Sequence, residues 1–419
     1  MCLRTTGLAR VRGVTGTGSA LNLSELLAAV EAAPPIAAAE VIGEALADAI
    51  DARDVSFLIA DFSGQSLIRL SHVERGGGTL GRERTETLPM VGTPHGRALT
   101  EQALEIRTEK GAARIYAPVS SRGEAVGVLE LWLEGAPDAQ TLANVSAAAH
   151  ALAYVVIANR RFTDLFEWGQ RSVPLSLEAE IQHRLLPGSY TCEAGQFTLA
   201  GWLEPAGDVG GDTFDFSLER DTLHLSMTDA MGHTLDAALL ATVLVGALRN
   251  ARRRGVGLAD QARLAQEALS TYTDKVGGFV TGQLVRVDLR SGTAWIVNAG
   301  HPAPVRVRDG VVSTIALHAD PPFGSPMATV YAVEPLALEP GDRFMFLTDG
   351  ILERNAATVD VHSVVAACRD LHPREAVQQL TRTVVEACGG ELRDDATVLC
   401  FDWHGGPARD RDASAGADR

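Results

Sequence analysis

Four aspartates stand where short apolar runs begin or end. Asp212 follows Gly210-Gly211 and opens "DTFDF". Asp229 closes "TLHLSMTD", Asp349 closes "RFMFLTD" ahead of Gly350, and Asp394, with Asp395 beside it, opens "ATVLCFDW". Short apolar and β-branched runs bounded by glycine and acids read as strands. A carboxylate placed at the end of such a run is costly to bury unless it is paired or bound to a cation. One strand-end aspartate is explained by a capped turn, but four in matched settings ask for a common partner. Strand ends of one sheet share a rim, so these carboxylates can converge. Oxygen donors, with no cysteine or histidine among them, suit Mg²⁺ or Mn²⁺ rather than zinc. The small flanking residues let backbone and metal-bound water approach closely.

Composition narrows the surroundings. The chain has 419 residues, room for on the order of two or three domains. Its 46% hydrophobic and 21% charged residues fit ordinary globular cores. The net charge is −16, and the only basic cluster is "NARRRG" at 250–255, which reads as a cationic helix C-terminus. Nucleic acid and anionic membranes are therefore not expected as main partners. No apolar run approaches the roughly 20 residues of a membrane span, and "MCLRTTGLARVRG" lacks a signal-peptide core. Cys2, Cys192, Cys368, Cys388 and Cys400 show neither metal-ligand spacing nor a disulfide framework. A reducing cytoplasm is the expected location.

The expected organisation is α+β throughout. Residues 1–35 are small and polar, end in "AAPP", and are expected to be a flexible segment. From 36 to 160 a helix, two strand pairs and a long closing helix form a small α+β domain of sensory type. "VSFLIADFSG" and "SLIRLSHV" read as one hairpin; "ARIYAPVSSRGEAVGVLELWL" reads as another, turning at Arg122-Gly123. The hairpin "YAPVSSRGEAVGVLELW" resembles the core pattern of GAF domains, which implies a small-molecule ligand of unknown identity. No cysteine lies between Cys2 and Cys192, so a thioether-bound bilin and a cysteine-held iron–sulfur cluster are excluded within it. His72 and His95 read as surface or loop histidines rather than haem ligands.

Residues 137–186 are mostly helical in pattern. Leu142, Val145, Ala149, Leu152, Val156 and Asn159 recur at three- and four-residue steps. That spacing fits a coiled-coil seam joining a homodimer, and it equally fits packing on the domain's own sheet. Residues 161–190 form the expected linker, ending in the amphipathic "LEAEIQHRLLPG". There Ile181, Leu185 and Leu186 make an apolar face, with Gln182 beside it as an uncharged hydrogen-bonding residue. Ile181 and Gln182 are the candidate regulatory residues. Residues 191–404 alternate short strands with two long helical blocks, and a further helical pair spans 360–388. Residues 405–419 are polar and expected to be disordered.

The chemistry narrows by what is missing. There is no phosphate-cradling "GxxxxGK[ST]" loop, no kinase "HRD" or "DFG" set and no G-x-S-x-G elbow. Two divalent ions held by carboxylates can activate a water for in-line attack at phosphorus. A two-metal phosphoester hydrolase is the leading expectation. A binding module that sequesters a partner without turnover and a two-metal nucleotide cyclase are the competing readings.

"AGDVGGDTFDF", "MTDAMGHTLDAALLAT", "GGFVTGQLVRVDLRSGTAWIVNAGHPAPVRVRDG", "LEPGDRFMFLTDGILERN" and "LRDDATVLCFDW" together resemble successive blocks of the SpoIIE/RsbU-type bacterial PPM (PP2C-like) serine phosphatases. "AEIQHRLLP" resembles the switch-helix segment that precedes such domains. The resemblance covers about half of the chain. It implies an α-β-β-α sandwich of two antiparallel sheets, two Mn²⁺ or Mg²⁺ ions, and hydrolysis of phosphoserine or phosphothreonine on STAS-type anti-anti-sigma proteins. By motif, the metal-holding groups it implies are Asp212, Asp229, the backbone carbonyl of Ala230, Asp349 and Asp394. Thr234 stands where the family has glycine, and Thr228 precedes Asp229 where glycine is usual. Met231 stands where eukaryotic relatives place a histidine, so His233 does not inherit that histidine's role. His301 in "NAGHP" is expected to hold a turn.

Overall fold

The computed structural model describes residues 20–74, 86–172, 174–205, 210–232, 235–327, 330–354, 359–390, 392–406, 413–414 and 416–418. The chain divides into two compact units, Met1–Val173 with Ala413–Arg419, and Pro174–Asp412. The boundary falls inside the expected linker of 161–190, so its first and last parts belong to different units.

The first unit opens with α1 (Leu23–Ala32), where Asn22 caps the N-terminus by accepting from the backbone N–H groups of Ser24 and Glu25. Leu26 and Val30 bury one face of this helix in the core. Residues 20–35 are thus ordered, against the expectation of a flexible segment, because an N-cap and one apolar stripe suffice to dock a short helix. After a 3₁₀ turn at Pro35–Ala37 come α2 (Ala38–Ile50), β1 (Asp54–Ala60), β2 (Ser66–Glu74), β3 (Thr87–Pro89), α3 (Pro94–Glu101), β4 (Glu105–Glu109), β5 (Ala112–Ser121), β6 (Glu124–Glu134), α4 (Ala139–Asn159) and α5 (Leu165–Gly169). The strands form one antiparallel sheet in the order β3-β2-β1-β6-β5-β4. The tight β5–β6 turn uses left-handed backbone at Arg122 (φ 50°) and Gly123 (φ 78°).

Both faces of this sheet are covered, and strand periodicity decides which residue goes where. Phe57, Ile59, Ile115, Ala117 and Val119 face α2 and α4. Leu58, Tyr116 and Val128 face α3, with Ala98 and Leu99. Val145, Ala149, Leu152 and Val156 of α4 are fully buried in the first of these layers. Of the two readings of that spacing, packing on the unit's own sheet is the one observed, and it leaves these four residues no seam to offer a second copy. By length and composition α4 is also apolar enough to cross a bilayer, with a mean hydropathy of 1.5, which the sequence reading did not anticipate; 44% of that stretch is buried within the protein.

His95, expected at the surface, is buried on α3, with its Nε2 3.5 Å from Glu130 Oε2 and its ring edge-on to Tyr116 at 4.6 Å. The segment 75–85 and the side chain of His72 lie outside the described residues. Part of the tail is also ordered, against expectation. Residues 413–414 and 417–418 pair, and the Gly416 carbonyl accepts from Gly123 N–H at 2.9 Å.

The second unit begins with α6 (Leu177–Leu185), followed by β7 (Thr191–Glu193), β8 (Phe197–Glu204), β9 (Asp212–Leu218), β10 (Thr222–Ala230), α7 (Leu235–Arg253), α8 (Leu258–Val276), β11 (Val280–Asp288), β12 (Thr293–Ala299), β13 (Val305–Arg308), β14 (Val311–Thr314), β15 (Glu334–Leu336), β16 (Asp342–Leu347), a π-helical turn at Gly350–Arg354, α9 (Val361–Ala367), α10 (Pro373–Ala387) and β17 (Ala396–Trp403). Two antiparallel sheets result, ordered β15-β12-β11-β10-β9 and β14-β13-β16-β17-β8-β7. Phe214, Leu225, Met227, Phe344, Phe346, Leu399 and Phe401 fill the space between them. Each fully buried aromatic or aliphatic side chain there contributes about 1.5–3 kcal/mol. The first sheet's outer face packs on α7 and α8, and the second's on α9 and α10. This is the α-β-β-α sandwich expected from the sequence.

Candidate functional site

Period-2 alternation carries polar groups to one end of the inter-sheet core. Phe214 and Phe216 on β9, and Leu223, Leu225 and Met227 on β10, point into the sandwich. Two residues beyond each row, on the same face, come Asp212 and Asp229. In the opposite sheet the inward rows Phe344–Phe346 and Trp403–Phe401–Leu399 run on to Thr348, and to Thr397 and Asp395. The apolar core thus ends in a polar rim built from four strands.

Asp212 and Asp229 are direct cross-strand partners. Side chains so placed have Cβ atoms about 4.5–5.5 Å apart, and like charges there repel. Asp212 is buried at 3% exposure, whereas Asp229 is half-buried. Asp212 Oδ2 accepts from Thr348 Oγ1 at 2.8 Å and from Thr397 Oγ1 at 2.6 Å. Burial first, then the negative charges of Asp229 and Asp395, hold the Asp212 carboxyl well above the usual carboxylate range. A buried acid facing other acids is the electrostatic signature of a cation site.

The glycine pair ahead of Asp212 is explained by close approach. A Cβ on Gly211 would stand 2.7 Å from the Ala230 carbonyl oxygen. Gly211 accepts from Ala230 N–H at 3.2 Å, so the two backbones run in contact. A Cβ on Gly210 would stand 2.8 Å from the Glu178 carbonyl on α6. Glycine therefore keeps the Ala230 carbonyl clear on one side and lets α6 approach on the other.

Asp349 follows Thr348 at the end of β16, and Asp394 and Asp395 precede β17. The two strand ends are stitched together by Thr348 N–H to the Thr397 carbonyl at 3.2 Å and Thr397 N–H to Thr348 Oγ1 at 3.1 Å. Asp349 and Asp394 are half-buried; Asp395 is buried. Among the described residues no three carboxylate, imidazole or thiol groups draw close enough to ligate one ion. The structure thus brings Asp212 and Asp229 together and leaves Asp349 and Asp394 flanking them on the adjoining sheet.

Helix α6 reaches this rim through Gln182. Its Nε2 donates to Asp395 Oδ2 at 2.6 Å and to the Asp212 carbonyl at 2.8 Å, and the side chain is 2% exposed. Asp395 Oδ2 also accepts from Gly211 N–H at 3.3 Å. Ile181 is only half-buried; the expected apolar face is carried by Leu185, packed on the α7–α8 core, and the buried Leu186, with Ala179 and Gln182 buried beside them. At the helix end Arg249 of α7 donates to the Leu185 carbonyl at 2.5 Å and pairs with Asp215 of β9.

His301 stands apart from this chemistry. His233, with Thr234, lies outside the described residues. His301 is buried after the left-handed Gly300 (φ 67°), donates its N–H to Asn298 Oδ1 at 2.9 Å, and has Nδ1 2.8 Å from Thr281 Oγ1. Burial pushes its imidazole down to about 3, so it is neutral and holds the turn. Met231 is 48% exposed at the edge of the rim.

Sequence reasoning missed Thr348, Thr397 and Asp395 as site residues. A signal for them was present: each lies on the inward parity of its strand, whereas Asp349 and Asp394 fall on the other parity. The donor set fits a hard divalent cation. It offers carboxylate oxygens, and the Ala230 carbonyl next to a position where only a missing Cβ leaves room.

Residues 219–404 match the family model described as Stage II sporulation protein E (SpoIIE). Asp229, Asp349 and Asp394 lie inside that span; Asp212 and α6 lie before it. Among solved structures, the RsbU and RsbW domains of a Mycobacterium tuberculosis protein align at 26% identity over 51% of this chain and 63% of theirs, with a TM-score of 0.44. The alignment thus spans less than two thirds of that chain. The SiaA-PP2C domain of Pseudomonas aeruginosa aligns at 22% identity over 49% of this chain and 84% of that domain, with a TM-score of 0.43. The PP2C phosphatase domain of SpoIIE from Bacillus subtilis, with a fragment of its regulatory domain, aligns at 15% identity over 73% of this chain and 85% of that one, with a TM-score of 0.43.

Proposed function

We propose that residues 219–404, which match the SpoIIE family model, form a PPM-type phosphatase domain, and that the chain is a divalent-metal-dependent protein serine/threonine phosphatase. The observation that carries this reading is the Asp212–Asp229 cross-strand pair, with Asp212 buried, beside the glycine-cleared Ala230 carbonyl. Asp212, Asp229, the Ala230 carbonyl, Asp349 and Asp394 would hold two Mn²⁺ or Mg²⁺ ions. Such ions would activate a water and stabilise charge developing at phosphorus. Asp212 and Asp229 supply the negative field that draws the cations. The inter-sheet core beneath keeps bulk water from their buried side, and Gln182 and Asp395 fix the backbone that presents them.

Within four residues of Asp212, Asp229, Asp349 and Asp394 the sequence places one arginine, Arg393, which adjoins Asp394. The metals would then supply most of the phosphate affinity, and a protein surface most of the selectivity. The substrate in this reading is a phosphorylated STAS-type anti-anti-sigma protein in the cytoplasm. The first unit acts as a GAF-like sensor whose small-molecule ligand sets activity through α6. A second reading, a catalytically weak module that sequesters the STAS partner, draws on the finding that among the described residues no three carboxylate, imidazole or thiol groups are placed to hold one ion.

The deciding experiment follows phosphate release from a phosphoserine STAS protein and from p-nitrophenyl phosphate with added Mn²⁺. Metal-dependent turnover, faster on the protein, supports the phosphatase. Stoichiometric binding of the phosphoprotein without turnover would favour sequestration.

A further inference from the structure

The Asp212 carboxylate is held from across the sandwich. It belongs to β9 of one sheet, yet both hydrogen bonds to its Oδ2 come from the other sheet, from Thr348 beyond β16 and Thr397 on β17. Both threonines are 0% exposed. The direction of these bonds is fixed. Thr348 Oγ1 already accepts Thr397 N–H at 3.1 Å, which leaves its single proton for Asp212. β-Branching limits each side chain to few χ1 settings, so two stiff hydroxyls converge on one oxygen. Among the described residues no hydrogen bond reaches Asp212 Oδ1.

We propose that Thr348 and Thr397 are positioning residues for metal binding. They saturate one oxygen of Asp212, fix the carboxylate plane opposite Asp229, and reserve Oδ1 for the cation. The inference rests on the metal-dependent reading above and adds to it two residues that touch neither metal nor substrate. Because the clamp bridges the sheets, it also sets the distance from Asp212 to the strand ends that carry Asp349 and Asp394. A small sliding of one sheet against the other would be felt first at this carboxylate.

The test compares Thr348→Val, Thr397→Val, Thr348→Ser and Thr397→Ser in the full chain. Valine keeps the shape and removes the donor, at Thr348 together with the acceptor of Thr397 N–H; serine keeps the hydroxyl. Mn²⁺ affinity is read from the paramagnetic resonance signal of free Mn²⁺, with no reliance on turnover. Each valine variant should bind Mn²⁺ roughly ten- to a hundredfold more weakly, the range for losing one hydrogen bond to a charged group. Each serine variant should stay within about twofold of wild type, far inside the loss expected for the missing bond. Where a valine variant does not fold by circular dichroism, alanine replaces it in the same comparison. Valine variants that bind Mn²⁺ as wild type does, or serine variants that lose as much as valine, overturn the inference while leaving the phosphatase reading intact. A wild-type chain that binds Mn²⁺ but never hydrolyses phosphoserine sinks that reading and leaves the clamp standing. A wild-type chain that binds no Mn²⁺ overturns both.

Discussion

Asp212 on β9 and Asp229 on β10 stand directly opposite each other, with Asp212 buried and Asp395 close enough to hinder its ionisation. Without a cation this arrangement is a liability, and with one it is an asset. In EDTA, Asp229→Asn should raise stability by about 0.5–1 kcal/mol, the scale of an opposed like-charge pair. With Mn²⁺ at a hundredfold above its dissociation constant, the wild type should gain about 2.7 kcal/mol, and the variant far less. Turnover should be lost in the variant although it remains folded. Urea titrations with EDTA and with Mn²⁺ measure both effects; equal stabilisation of the two proteins by Mn²⁺ would place the metal elsewhere.

The glycine pair yields a sharper test. Gly211→Ala would set a Cβ 2.7 Å from the Ala230 carbonyl oxygen. Backbone must shift, at a cost of about 1–3 kcal/mol, and Mn²⁺ affinity should fall with it. Gly210→Ala instead collides with the Glu178 carbonyl, so it should loosen α6, read as faster amide exchange over Leu177–Leu185. Unchanged exchange there would argue that α6 is not seated by this contact.

Gln182, a candidate regulatory residue by sequence, makes two buried hydrogen bonds at the rim, so its loss should affect stability and metal binding together. Gln182→Leu removes one donor from the buried Asp395 carboxylate and one from the Asp212 carbonyl, so it should cost about 2–3 kcal/mol as well as weaken Mn²⁺ binding. Ile181→Ala, at a half-buried position, should cost less than Gln182→Leu on both measures. Chemical denaturation alongside Mn²⁺ titration separates the two variants; Gln182→Leu with wild-type Mn²⁺ affinity would end the coupling model.

Much of the sandwich was legible because its strands alternate cleanly and its aspartates interrupt that alternation at recognisable ends. The Thr397–Asp212 bond spans 185 residues of sequence and the Gln182–Asp395 bond 213. No local pattern reports such contacts, although strand parity marked Thr348, Thr397 and Asp395 as inward-facing. The spacing on α4 left two readings open for a different reason. Three- and four-residue spacing defines an apolar stripe but not what covers it, and here the unit's own sheet does. α1 went unread because one cap and two buried residues, Leu26 and Val30, leave little periodic signal.

Two buried histidines, His301 and His224, contribute to the acid response. Burial lowers His301 from 6.5 to about 3 and His224 to about 4. As pH falls below about 6.5 the unfolded chain takes up protons that the native state refuses, so their contribution to stability is lost progressively down to those folded values. Asp212 works in the opposite sense. Its raised proton affinity favours the metal-free native state below the unfolded value of 3.8, an advantage lost as pH rises through its folded value. His224→Gln should flatten the loss between pH 6.5 and 4 in urea titrations of the EDTA-treated protein. An unchanged slope would mean that His224 is not the group responsible.

The account's central claim is that the acidic rim is a working metal-dependent phosphatase centre. Its most direct test is phosphate release from a phosphoserine STAS protein by the full chain, compared with Asp229→Asn, across a Mn²⁺ titration. The account predicts saturable, Mn²⁺-dependent release by the wild type and none by the folded variant. Release by the wild type that is independent of Mn²⁺, or release by Asp229→Asn at the wild-type rate, would contradict it.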